Sequence, residues 1–251
     1  MRKIILSLFM VLVAISACKE HEIELYNQAP RIKFKGVFAE ILFDDKDYAH
    51  KVTERDLPVQ IEIMGLPLSE PRTFVLKAEK REGLRELKVK LPEKYVFEAG
   101  QYGVGKFIRE VYEYIEYSGA IVKVQRPEKY TYKKEDQKIT YQAILTFDTK
   151  ENNPLHQFDP GLIERSKFAV SAAYRISQPI SWNVTRWGAY SVQKYTFMMD
   201  VLEEFYDEFN TDEKYKEAHK KVYDAYEKYK TENDEIKDDD GDPITFPQNI
   251  P

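Results

Sequence analysis

The sequence predicts a mainly β chain with a helical C-terminal part, an immunoglobulin-like antiparallel β-sandwich followed by a two-helix region. Three observations carry this reading. Over residues 29–180, polar and apolar residues alternate in seven or so short runs, punctuated by turn residues such as Gly65, Pro67 and Pro71. After Trp182 the apolar period lengthens from 2 to 3.6. Hydrophobic residues make up 43% of the 251, with 14% aromatic, enough for a sizeable core. A barrel is the alternative closure for the same strands.

The chain opens MRKIILSLFMVLVAISACKE, where Arg2 and Lys3 precede an uncharged, predominantly apolar run over residues 4–17. A membrane-spanning helix needs about 20 apolar residues, and this run is shorter. A basic start, an apolar centre and small residues before a boundary form the layout of a secretory leader. Ile15, Ser16, Ala17 and Cys18 resemble the lipobox of bacterial lipoproteins. That resemblance implies signal-peptidase recognition of Ile15, Ser16 and Ala17, cleavage of residues 1–17, and lipid on the Cys18 sulfur and the freed amine. Three acyl chains exceed the single chain that gives only weak, reversible membrane binding. The expected site of action is therefore the cell envelope, at the surface or periplasmic face of an outer membrane. An ordinary leader with an incidental cysteine is the alternative.

Removing residues 1–17 leaves 234 of the 251, one large domain or two modest ones. The whole chain carries a formal charge of −5, and losing Arg2 and Lys3 takes it to −7. An acidic chain is a poor partner for nucleic acid, whose binding rests on neutralising phosphates. Cys18 is the sole cysteine, so with lipid on it no thiol remains for disulfides, thiolate catalysis or metal.

Residues 18–28 are polar and read as a lipidated tether. The run RIKFKGVFAEILF then alternates, with Ile32, Phe34 and Phe38 expected on one face. DLPVQIEIMG does the same with Val59, Ile61 and Ile63, and TFVLKAE, LKVKL, AIVKVQR, ITYQAILTFD and KFAVSAAYRIS follow. KFIREVYEYIEYS would tolerate a helix, but its β-branched and tyrosine content favours a strand. Residues 181–251 form the helical part. One helix is expected over SVQKYTFMMDVLEEFYDEF, with Tyr195, Met198, Met199, Leu202, Phe205, Tyr206 and Phe209 on its apolar stripe. Asn210 and Thr211 supply a break and an N-cap. A second helix follows with Tyr215, Ala218, Val222, Ala225, Tyr226 and Tyr229 inward, acids at its start and lysines at its end. The acidic, proline-punctuated tail reads as irregular.

These landmarks together resemble domain-of-unknown-function family 4843, lipoproteins of Bacteroidetes. The matching stretches are the lipobox, VQIEIMGLPLSEPRTFVLKAE, LTFDTKENNPLHQF leading into FDPG, QPISW, WGAYSVQKYTFMMDVL and GDPITFP. The sequence departs from the family over residues 82–97 and is longer after Tyr95. The resemblance implies context alone: genes near outer-membrane nutrient-import systems of the SusC/SusD type. The expected role is non-catalytic binding as an accessory to glycan or nutrient uptake. The alternatives are docking on an outer-membrane partner and, third, a carboxylate-based glycoside hydrolase.

Catalytic signatures are scarce. The four histidines, His21, His50, His156 and His219, are scattered, and no HExxH, Cys-His pair or GxSxG occurs. GQYGVGK at residues 100–106 lacks the spacing and the Ser/Thr of a phosphate loop. Carboxylates abound, but a glycosidase pair is defined by a separation that linear sequence does not contain. Asp238, Asp240 and Asp242 alternate around Gly241 as a weak calcium candidate without the glycine and glutamate positions of an EF-hand. No cofactor is expected. Trp182, Trp187 and Tyr190 form the remaining signal, either as a stacking surface for a ligand such as a polysaccharide or as cement between the β and helical parts.

Overall fold

The computed structural model describes residues 29–65, 67–100, 119–127, 132 and 140–248. The leader, Cys18 and the tether lie outside the described residues, as does the strand expected over residues 106–118. The chain is mainly β with a helical C-terminal region. The strands are β1 (Arg31–Phe34), β2 (Phe38–Asp44), β3 (Glu54–Met64), β4 (Arg72–Phe74), β5 (Leu76–Lys80), β6 (Arg85–Glu86), β7 (Val89–Lys90), β8 (Tyr95–Phe97), β9 (Gly119–Gln125), β10 (Tyr141–Phe147), β11 (Asp159–Pro160) and β12 (Lys167–Arg175). A short helix, α1 (Asp45–Ala49), follows β2. The C-terminal helices are α2 (Val184–Trp187), α3 (Val192–Leu202), α4 (Tyr206–Phe209) and α5 (Tyr215–Glu232).

One five-stranded sheet has the order β11-β1-β3-β9-β7. A second has the order β2-β12-β10-β5, with β6 also on β10. A two-stranded ribbon joins β4 to β8. Period-2 alternation puts Ile32, Phe34, Val59, Ile61 and Ile63 on the inner face of the first sheet, all buried. They share one core with Ile41, Phe43, Leu145, Phe168 and Val170 of the second. Phe34 meets the second sheet directly, 4.3 Å from the Phe147 ring and 5.5 Å from that of Phe168.

Two expectations change here. Phe38 does not join Ile32 and Phe34; it is 53% exposed. The alternation stops at residues 35–37, where the chain leaves the first sheet for the second, and the parity resets so that Ile41 and Phe43 point inward. The pairing is also not antiparallel throughout, since β1/β11, β2/β12 and β6/β10 run parallel. A strand arriving from the other sheet does not reverse as a hairpin does, so β2 meets β12 in the same direction.

The helical expectation of two helices becomes four among the described residues, and the first predicted helix is broken. It stops at Leu202 because Glu203 adopts a left-handed conformation, φ 59°, and α4 starts anew at Tyr206. Ser191 caps α3 by accepting from the Lys194 amide at 3.1 Å. Thr211 Oγ1 accepts from the Lys214 amide at 3.3 Å, in the turn that leads into α5. The tail, irregular as expected, nevertheless packs: Ile236, Ile244 and Phe246 are buried against the helices.

Chain direction positions everything that follows. Arg31 starts β1 beside Met64 and Asp159 at one end of the sheets. At the other end, β2 and β12 finish in register, Asp44 opposite Arg175, and run into α1 and the helical region respectively.

Candidate functional site

The junction between β part and helices is built on α1. Asp44 accepts from the Asp47 amide at 2.9 Å while the Asp47 carboxylate accepts from the Asp44 amide at 3.2 Å, a reciprocal cap that fixes the turn after β2. From that turn Asp45 accepts from Tyr195 Oη at 2.8 Å, and Tyr48 Oη donates to Asp200 at 3.0 Å. Tyr132 Oη also donates to Asp200. Tyr48 and Ala49 are buried in the helical core, so α1 belongs by packing to the helices it follows the sheet into.

Trp182, Trp187 and Tyr190 sit inside this helical core or on its edge. Trp187 is fully buried, its indole N–H donating to Asn210 Oδ1 at 2.8 Å, and its ring lies edge-on to Phe209 and Tyr215. Trp182 is 8% exposed and donates to the Gly188 carbonyl at 3.0 Å. It stacks on Tyr206 at 5.2 Å and meets Tyr190 edge-on at 5.1 Å. A sugar needs an open ring face, and both indole faces are taken by protein. These residues cement the helical part.

Lys194, which sequence reasoning passed over, lies beside them. It is 3% exposed, and its ammonium donates to the carbonyls of Trp187 at 3.1 Å and Ala189 at 2.6 Å. The Phe246 ring faces it at 5.6 Å. Burial without a contacting carboxylate pulls its pKa down to about 8, opposed by the charge of Asp238. Gly188, at φ 73°, forms the turn between those two carbonyls, and a Cβ there would stand 3.3 Å from the ammonium. The i−3 to i+4 periodicity marked this helix face as apolar, which is why the lysine among its hydrophobic neighbours carried no signal.

The histidines do not converge. His50 sits 2.9 Å from Glu208 on the surface, while His156 is buried in the β part, its Nδ1 accepting from the Val75 amide at 3.2 Å. His219 is buried between Trp187 and Tyr215, with burial holding its pKa below the usual imidazole value. Asp238 spends one carboxylate oxygen on the amides of Asp240 and Asp242, both at 3.0 Å, so the DDDGD segment is a closed turn. Among the described residues no three His, Cys, Asp or Glu side chains gather as a metal site. A cavity of about 210 Å³ lies where β5, β6 and β7 meet, walled by Glu79, Lys80, Glu86 and Lys88 over Leu87 and Ala143.

No family model matches the chain, and no curated protein sequence does. Solved structures show only a distant likeness, and two of them illustrate it. A two-domain protein of unknown function from Bacteroides fragilis superposes with a TM-score of 0.35 at 11% identity, covering 64% of this chain and 50% of its own. The chain thus spans about half the length of that protein. A type I cohesin–dockerin complex from Clostridium thermocellum gives a TM-score of 0.25 at 12% identity, over 62% of this chain and 100% of the matched chain. Scores this low carry no argument about function. Among the described residues no helix is long and apolar enough to cross a membrane.

Proposed function

We propose that this chain is a lipid-anchored cell-envelope protein of the Bacteroidetes lipoprotein kind, resembling domain-of-unknown-function family 4843, with a non-catalytic role in binding a partner protein. In this reading Cys18 carries the lipid, residues 18–28 are the tether, residues 29–180 are an immunoglobulin-like β-sandwich, and the helical part is the contact element.

Strand order supports the sandwich. The sequence β1-β3-β9-β7 matches an A-B-E-D sheet and β5-β10-β12 a C-F-G sheet. The split of one N-terminal run into β1 on the first sheet and β2 parallel to the last strand of the second fits an edge strand shared by both layers. Chain direction supports the presentation: the described chain starts at one end of the sheets and the helices cap the other. A tether at residue 29 would hold the helical part away from the bilayer.

The observation that carries protein over sugar is the state of the aromatics. Among the described residues Phe38 is the only Phe, Tyr or Trp side chain that is largely open to solvent, and neither tryptophan offers a face. At the helical end, by contrast, Ile180 and Val184 are open to solvent on either side of Trp182. Apolar side chains of this kind suit a protein contact. A porin-like partner in a SusC/SusD-type uptake system is the occupant that the family resemblance suggests, and a glycan-accessory role through that system is the second reading.

The test is recovery of tagged, lipidated protein from gently solubilised native membranes. Co-purification of an outer-membrane protein, lost in Ile180→Asp/Val184→Asp, is expected. Isolation as a free monomer would count against the docking role. Release from membrane fractions is expected for Cys18→Ala, and retention would overturn the anchor.

A further inference from the structure

Among the described residues, the largest group of neighbouring exposed apolar side chains is not at the helical end. Val37, Phe38, Leu162 and Ile163 are 52%, 53%, 40% and 88% exposed. They lie on two segments that the backbone ties together. The Val37 carbonyl accepts from the Ala169 amide at 2.8 Å, the Ile32 carbonyl from the Gly161 amide at 3.0 Å, and the Lys35 carbonyl from Arg165 Nη1 at 3.2 Å. The crossover between β1 and β2 and the turn before β12 therefore form one continuous edge.

Cations lie along the same two segments. Arg31, Lys35 and Lys167 are exposed and have no ion-pair partner among the described residues. Lys33 and Asp159 are already committed, to Glu62 at 3.1 Å and Lys150 at 2.7 Å. Glu40 and Glu164 are the acids nearby. On a chain with net charge −5, a basic and apolar edge is a local inversion.

We infer that this edge, Val37, Phe38, Leu162 and Ile163 with Arg31, Lys35 and Lys167, rests on the anionic phospholipid surface to which Cys18 tethers the chain. The inference rests on the lipoprotein reading and adds the face that meets the bilayer. Two observations select a bilayer over other occupants. The described residues start at 29, and Val37 lies six residues, roughly 20 Å, beyond Arg31 at the start of β1. The eleven residues 18–28 reach at most about 36–40 Å extended, so the bilayer is within range. Exposed apolar side chains with basic ones on the same segments are also the pattern that inserts at a headgroup boundary while pairing with anionic lipid.

The test uses the full lipidated protein reconstituted in phosphatidylethanolamine–phosphatidylglycerol vesicles. Ile163→Cys and, separately, Lys216→Cys on exposed α5 are labelled with an environment-sensitive nitrobenzoxadiazole dye. The expected result is flotation with the vesicles, one label per chain, and a severalfold rise in emission with a blue shift at position 163 but not at 216. Flotation without a rise at 163, or with an equal rise at both positions, overturns the proposed face while leaving the anchor intact. Two labels per chain with loss of flotation shows a free Cys18. That outcome sinks the anchor, and the proposed face with it.

Discussion

Tyr195 Oη lies 2.8 Å from the Asp45 carboxylate and at the same time accepts from the Tyr206 amide at 3.0 Å. One hydroxyl thus joins the turn after β2, the first turn of α3 and the start of α4. The third link anchors the restart of the helical run after Glu203, since α4 begins where this hydroxyl meets a backbone donor.

Tyr195→Phe keeps the ring and deletes both bonds. It leaves a buried amide unpaired, and a loss of about 1–3 kcal/mol is expected. Urea melts should show a lower midpoint with the slope unchanged. A change under about 0.5 kcal/mol would mean that the junction does not depend on this hydroxyl.

Lys194 sets a pH dependence. Its folded pKa of about 8 lies below the ordinary 10.5, so between those values the unfolded chain binds the proton more tightly. Stability should therefore rise as pH rises above 8, by about 3 kcal/mol if the whole window were traversed. Tyr174 and Tyr226, pushed up to about 12 by burial, oppose this above pH 10, where the unfolded chain ionises first. Melting temperatures from pH 8 to 10 should climb in the parent and stay flat in Lys194→Met.

Gly161 has no room for a side chain. A Cβ there would stand 2.4 Å from the Ile32 carbonyl oxygen, a backbone atom, while the Gly161 amide holds that same oxygen. Gly161→Ala should cost more than about 3 kcal/mol by separating β11 from β1. Thermal unfolding of the variant within a degree of the parent would contradict this geometry.

Both tryptophans belong to the helical part, so their emission reports that part alone. The native spectrum should be blue-shifted and insensitive to added oligosaccharides, turning red only when the helices unfold. Quenching or a shift on adding a glycan would show an accessible indole and reopen the sugar-binding reading.

Much of the architecture is local and so legible in sequence. Alternation identified Val59, Ile61 and Ile63 as one buried face, and the 3.6 period identified Tyr215, Ala218, Val222 and Tyr226 as another. Such patterns record which side of an element meets apolar neighbours. Phe38 broke the rule because alternation carries no mark of a strand changing sheets. The break at Glu203 was equally invisible, since the helix that restarts after it is held by Tyr195, eight residues earlier, whose hydroxyl is itself held by Asp45 at the start of α1, about 150 residues earlier.

By itself, the sequence determined the mainly β and then helical order and the lipobox-like cysteine, because periodicity and short motifs are properties of neighbouring residues. Only the tertiary structure decided that Trp182 and Trp187 are covered, that Lys194 is buried among carbonyls, and that β1 starts at the end of the sheets opposite the helices. The same holds for the edge of Val37, Phe38, Leu162 and Ile163. Each of these depends on elements more than a hundred residues apart, or on a helix core closing over its own turns, and burial is decided only when those surfaces meet.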